Sequence, residues 1–304
     1  MSLLAYPLAL TAAAAFSFAI PFEHRAADQA PDAAGLSLRQ IGRFIRATAR
    51  SRWWLAAMGL NALGFGLHAL ALHNGGLAIV QPLLVANLLF ALPINHWLRK
   101  EPITAAEVGW AAALVVALSG FLLIATAGVG ATVQMADRGP AVATGVLVVL
   151  VVGGLTVTAR HSGGSTAATL FGVSTGILFA VTASLVKECT GIIVHGPIAL
   201  LTSWQLYALL VAGGAGILLN QLAFQSGPLS ASLPAITVVD PVVSVLFGVL
   251  VFDENLRHTP LAITGEVLTL GLLAAAAFNL SRLERAPEPI PAGHSSGQPT
   301  SSPR

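Results

Sequence analysis

The chain has 304 residues, 55% of them hydrophobic and only 9% charged, with a mean hydropathy of +0.80. A water-soluble domain carries roughly a quarter charged residues, so this chain lacks the polar surface to be one. The net charge of +2 does not point to nucleic acid, and the single cysteine, Cys189, excludes an internal disulfide framework or a thiolate metal cluster.

Apolar runs near the ~20 residues that cross the hydrocarbon recur along the sequence. They predict an all-α polytopic membrane protein with nine spans, at about 2–22, 54–73, 76–98, 103–127, 140–158, 166–187, 198–224, 229–252 and 260–280. The first run has no positive charge before it and basic residues after it, the reverse of a secretory signal, and is read as a span. Between the first two spans lies "LSLRQIGRFIRATARSRWW". There Leu38, Ile41 and Ile45 recur at helical spacing among arginines. The 36–53 segment reads either as a surface helix on anionic lipid, with Trp53 and Trp54 as interface anchors, or as a solvated basic linker.

Placing 23–53 in the cytoplasm and alternating the loops puts all of the 15 Lys and Arg residues inside except Arg138, Lys187 and Arg257. The positive-inside bias then sets the N-terminus out and the C-terminus in, in a plasma (inner) membrane. The Pro-, Ser- and Gly-rich tail at 282–304 reads as disordered and cytoplasmic.

Residues 68–84, "HALALHNGGLAIVQPLL", align with 220–236, "NQLAFQSGPLSASLPAI". Gly75 falls on Gly227, Leu77 on Leu229, Pro82 on Pro234 and His68 on Asn220, while Glu101 and Glu254 close the two helices. In the first and sixth spans Ala9, Ala13 and Ser17 align with Gly176, Ala180 and Ser184, a stripe of small residues that lets backbones approach closely in lipid. Spans 1–4 thus repeat as spans 6–9. An odd offset of spans gives the copies opposite orientation, the inverted repeat found in secondary transporters. The chain divides into a first repeat at 1–127, a linker span within 128–165, and a second repeat at 166–281.

In such proteins solute binds near the midplane, at helices interrupted at matched positions, here Pro82 and Pro234. Asp240 lies mid-span, where a carboxylate must face protein or water. Ser230, Pro234, Thr237, Pro241 and Ser244 give its helix one small, polar face. Glu266 is the second deep acid, and Lys187 is the nearest counter-charge by sign. His68, Gln81, Asn87, Asn220 and Gln221 complete a candidate substrate- or ion-binding set, with Asn61 and Gln225 near them. Against this, a kink proline or a hydrogen-bonded core histidine would give the same letters.

"GVSTG" at 172–176 has the G-x-S-x-G spacing of a hydrolase elbow, but that motif needs a strand–turn–helix context and here lies in an apolar helix. There is no P-loop and no H-E-x-x-H. The chain reads as a non-enzyme without a cofactor, working on existing gradients.

The helix "GPLSASLPAITVVDPVVSVLFGVLVFDENL", with Asp240–Pro241 at its centre and Glu254 at its close, resembles the penultimate helix of the drug/metabolite transporter superfamily, of which EamA-type transporters are common bacterial members. The first-half segment "GGLAIVQPLLVANLLFALPINHWLRKEPI" fits the same pattern. Nine spans in place of the usual ten look more like the NIPA-type magnesium transporter branch. The resemblance implies two opposite-facing bundles that alternate access around a central cavity.

The leading expectation is a gradient-driven transporter of a small organic metabolite or drug-like solute, acting as an exporter. A Mg²⁺ transporter is the alternative, with Asp240 and Glu266 as the only deep oxygen ligands, a thin set for an ion that favours carboxylates. A non-transporting membrane assembly or sensor protein, using the basic 36–53 segment, is a third class. A homodimer is compatible with the sequence.

Overall fold

The computed structural model describes residues 3–28, 51–100, 102–125, 138–254 and 259–283. Among them the backbone is helical or in turns, with no strand. This is what lipid demands of a spanning chain, because every buried N–H and C=O must be satisfied within the segment. The helices are α1 (Ala5–Asp28), α2 (Arg52–Asn74), α3 (Leu77–Leu84), α4 (Asn87–Arg99), α5 (Ala105–Ala125) and α6 (Arg138–His161). There follow α7 (Gly164–Ile192), a 3₁₀ turn (Ile193–His195), α8 (Pro197–Leu201), α9 (Trp204–Ser226), α10 (Leu229–Leu250) and α11 (Pro260–Leu283). Among the described residues, 9 segments are long and apolar enough to cross a membrane, with α3 and α4 counting together as one.

The nine expected spans are therefore present, with three differences. The seventh starts at Trp204 rather than near 198, because Ser203 is extended and 197–201 forms its own short helix. The third has a local break in its α-helical bonding: Val85 and Ala86 keep right-handed helical dihedrals, but their N–H groups donate to the Pro82 and Leu83 carbonyls, three rather than four residues back. The eighth, conversely, is not broken. α10 runs unbroken through both Pro234 and Pro241, so Pro234 does not interrupt its helix as its pairing with Pro82 suggested. The expected surface segment at 36–50 and the tail beyond 283 lie outside the described residues. At the edge of that gap, the Trp53 ring has Arg25 (4.7 Å), Arg52 (4.9 Å) and Phe22 (5.9 Å) as neighbours.

α1 packs on α2 and on the broken span α3–α4, while α7 packs on α9 and α10. α5 pairs with α11, and α10 reaches both α11 and α3. The centre of this arrangement is α3. Its sequence, "LAIVQPLL", is apolar around the whole circumference, and all its residues from Leu77 to Leu83 are buried. Leu72, Leu114 and Leu273 from α2, α5 and α11 belong to the same core. α6 is the opposite case: Val146, Leu147, Val149 and Leu150 are exposed, as suits side chains facing lipid.

The small-residue stripes do what their composition requires. Ala9, Ala13, Ser17, Gly176 and Ala180 are all buried. A Cβ added at Gly172 would lie 2.9 Å from the Ser232 carbonyl oxygen, and one at Gly176 would lie 2.8 Å from the Val239 Cβ. α7 and α10 thus touch backbone to backbone. Ser174, the central residue of the apparent hydrolase motif, is fully buried within this helix and donates to the Leu170 carbonyl (2.9 Å).

Candidate functional site

The backbone of Asp240 on α10, next to Val239, lies against Gly176 of α7. A Cβ at Gly176 would lie 3.1 Å from the Asp240 backbone nitrogen, so only a residue without a side chain permits this approach. The carboxylate accepts a hydrogen bond from Ser244 one turn later (3.2 Å), and Ser244 is itself fully buried. Thr237 donates to the Leu233 carbonyl (2.8 Å), the usual way a threonine hides its hydroxyl in an apolar helix.

The broken third span lies at the same depth. α3 starts beside the C-terminal end of α10, where a Cβ at Gly248 would sit 3.0 Å from Ala78, and the two helices pack along each other. They run antiparallel, so equal steps inward (78 to 86, 248 to 240) bring the broken turn at Val85–Ala86 level with Asp240, about 12 Å from that contact. Pro82 explains why the break falls here. It has no N–H, which leaves the Ala78 carbonyl without its helical donor and loosens the following turn. Helix α4 then begins at Asn87, whose carbonyl accepts from Ser17 of α1 (2.8 Å). Its side-chain oxygen is buried without a hydrogen-bond partner among the described residues. Two contacts, Ser17 with Asn87 and Gly176 with Asp240, thus mark a belt at this depth on four different helices.

The other candidate residues divide around this belt. His68 of α2 and Gln81 of α3 meet, with their Nε2 atoms 3.1 Å apart and Gln81 buried. They lie on the side of the break nearer the start of α3. Glu266 is buried on α11, about 9 Å from that helix's start, whereas Asp240 is about 15 Å from the end of α10. Asn220 on α9 has a buried side-chain oxygen with no hydrogen-bond partner among the described residues. Gln221, by contrast, is exposed on α9, as is Gln225. Among the described residues, no three of His, Cys, Asp and Glu come together as a metal site requires.

Two arrangements were not foreseen. Lys187 does not serve Asp240; it forms an ion pair with Glu254, in the turn after α10. The Glu254 carboxylate also accepts from the backbone N–H of Leu77 (2.6 Å) and of Ala78 (2.8 Å), the first residues of α3. The second is at the start of α5. There Glu107 and Thr104 form a reciprocal cap, with Glu107 accepting from the Thr104 N–H (2.7 Å) and Thr104 from the Glu107 N–H (3.3 Å). His96 of α4 joins the same carboxylate at 3.0 Å. The T-x-x-E spacing was the available signal for this cap; the Lys187–Glu254 contact left none in the local sequence.

No family model matches the chain, and no solved structure matches it. A protein of Corynebacterium glutamicum described as uncharacterized is 29% identical over 288 residues, covering 94% of this chain and 97% of its own length.

Proposed function

We propose that this chain is a secondary, gradient-driven transporter of a small organic solute, working by alternating access around the belt at Asp240. The observation that carries the reading is the broken third span lying level with a mid-membrane carboxylate. Helices whose regular pattern is interrupted near the midplane are where transporters bind solute and coupling ion. The buried, unpartnered Asn87 oxygen adds an acceptor beside that break.

The inverted-repeat reading, and with it the likeness to the drug/metabolite transporters, draws support from the packing. α1 meets α2 and α3–α4 as α7 meets α9 and α10, and the contacts α3 with α10 and α5 with α11 pair equivalent elements, as a two-fold axis would. Thr104 and Thr259, at matching places before the fourth and ninth spans, each accept from a backbone N–H three residues on.

In this reading Asp240 carries a proton or pairs with a cationic group on the solute. An organic solute is favoured over Mg²⁺ because the Asp240 carboxylate has the Ser244 hydroxyl beside it and, among the described residues, no three His, Cys, Asp or Glu side chains come together. The test is thermal unfolding of purified protein across a Mg²⁺ titration at fixed ionic strength, and separately across a series of organic cations, in wild type and Asp240→Asn. A ligand of the folded state raises stability with its concentration. Saturable stabilisation by an organic cation, lost in the variant, supports the reading; the same behaviour with Mg²⁺ alone transfers the site to the ion.

A further inference from the structure

The ion pair between Lys187 and Glu254 joins three helices at one end of the molecule. Lys187 is 4% exposed and Glu254 7% exposed, so neither charge is a surface ornament. Asp253 adopts a left-handed φ of +48°, and the Glu254 N–H donates to the Gly248 carbonyl (2.9 Å), which folds the chain back over the end of α10. The carboxylate is thereby held against the first two N–H groups of α3, the positive end of that helix's dipole. Phe252 offers its ring to the Lys187 ammonium at 4.5 Å. The fit leaves no spare room: a Cβ at Gly76 would lie 2.8 Å from the carboxylate, and one at Gly248 2.6 Å.

We infer that Glu254 is a latch that closes one side of the protein, fastening α3 of the first four spans to α7 and α10 of the last four. This rests on the transporter reading, in which those two groups of helices separate on alternate sides. A buried pair of this kind is weak evidence for stability, since its desolvation offsets much of its attraction; holding one of two arrangements is its best-attested use. Opening strands three donors together, the Lys187 ammonium and the N–H groups of Leu77 and Ala78, until water or solute reaches them. The Lys and Arg bias expected from the sequence, with Arg138, Lys187 and Arg257 as the outer exceptions, puts this end outside in the proposed topology. The other end of the third span carries the partly exposed His96–Glu107 pair, which links α4 to the adjacent α5.

The test reads opening without needing the solute. Leu77 is fully buried beside the latch, so Leu77→Cys on a Cys189→Ala background places one thiol in the seam and keeps the backbone N–H. A membrane-impermeant maleimide is applied to each face of sealed vesicles. With Glu254 intact, labelling is slow from both faces. Glu254→Gln raises the rate from the outer face roughly tenfold or more, and leaves the inner face unchanged. Gly248→Ala, which displaces the carboxylate without removing its charge, does the same and carries the test if Glu254→Gln does not fold. Equal outer rates in all folded variants overturn the latch. Failure of the transporter reading is separable: solute flux with unchanged labelling removes the latch alone, and faster labelling without any solute flux removes the transporter alone.

Discussion

Gly176 of α7 faces the backbone of Asp240 so closely that a Cβ would stand 3.1 Å from the Asp240 nitrogen and 2.8 Å from the Val239 Cβ. The carboxylate is thus fixed by its main chain against a neighbouring helix while its side chain engages Ser244. A small residue on one helix sets where the acid of another can stand.

Gly176→Ala tests that packing. Ala is the better helix former by about 1 kcal/mol, but overpacking against a backbone that cannot yield costs about 1–3 kcal/mol, so the net is destabilising. Gly59→Ala in α2, where nothing lies within 4 Å, keeps the propensity gain and is neutral or stabilising. Unfolding temperatures of the two variants in one detergent should move in opposite directions. Equal shifts would show that the α7–α10 contact is not tight.

Lys187→Met leaves the Glu254 carboxylate buried with only its two backbone donors. Removing one member of a buried pair costs about 3–5 kcal/mol. Lys187→Met with Glu254→Gln removes both charges, and the double variant should be more stable than Lys187→Met alone. A double variant that is the weaker of the two would mean the ion pair is not what sets the cost.

Ser17→Ala removes the hydroxyl that ties α1 to the Asn87 carbonyl. Interhelical hydrogen bonds in membranes are worth about 0.6 kcal/mol on average, so stability falls little. Because this bond anchors the start of α4 at the break, solute-dependent activity should fall by much more than stability. Activity and stability declining in proportion would make Ser17 a packing residue only.

Glu107→Ala removes both the reciprocal cap of α5 and the partner of His96. Losing a cap of this type costs about 1 kcal/mol. Amide hydrogen exchange should quicken over 104–108 and leave the centre of α5 unchanged. Faster exchange along the entire helix would assign Glu107 a wider role.

How much of this was legible in the sequence follows from the range of each interaction. The spans were, because hydrocarbon thickness writes itself into run length. The small-residue stripes were, because Ala9, Ser17 and Gly176 recur at the helical repeat. Asp240 stood out because an acid in a 22-residue apolar helix is conspicuous. The fate of the prolines was not legible. Pro82 precedes a broken turn, while Pro234 and Pro241 lie inside a continuous helix, and the difference is made by neighbours that the local letters do not name. Lys187 and Glu254 are 67 residues apart, and only the fold makes them partners.

The most direct test of the account is solute-driven proton movement in sealed proteoliposomes, followed with a pH-sensitive dye while organic cations, neutral metabolites and Mg²⁺ are added in turn. With Asp240 as the proton carrier, an organic solute dissipates an imposed pH gradient in wild type and fails to do so in Asp240→Asn, with both proteins equally folded. Undiminished solute-driven flux in Asp240→Asn would contradict it.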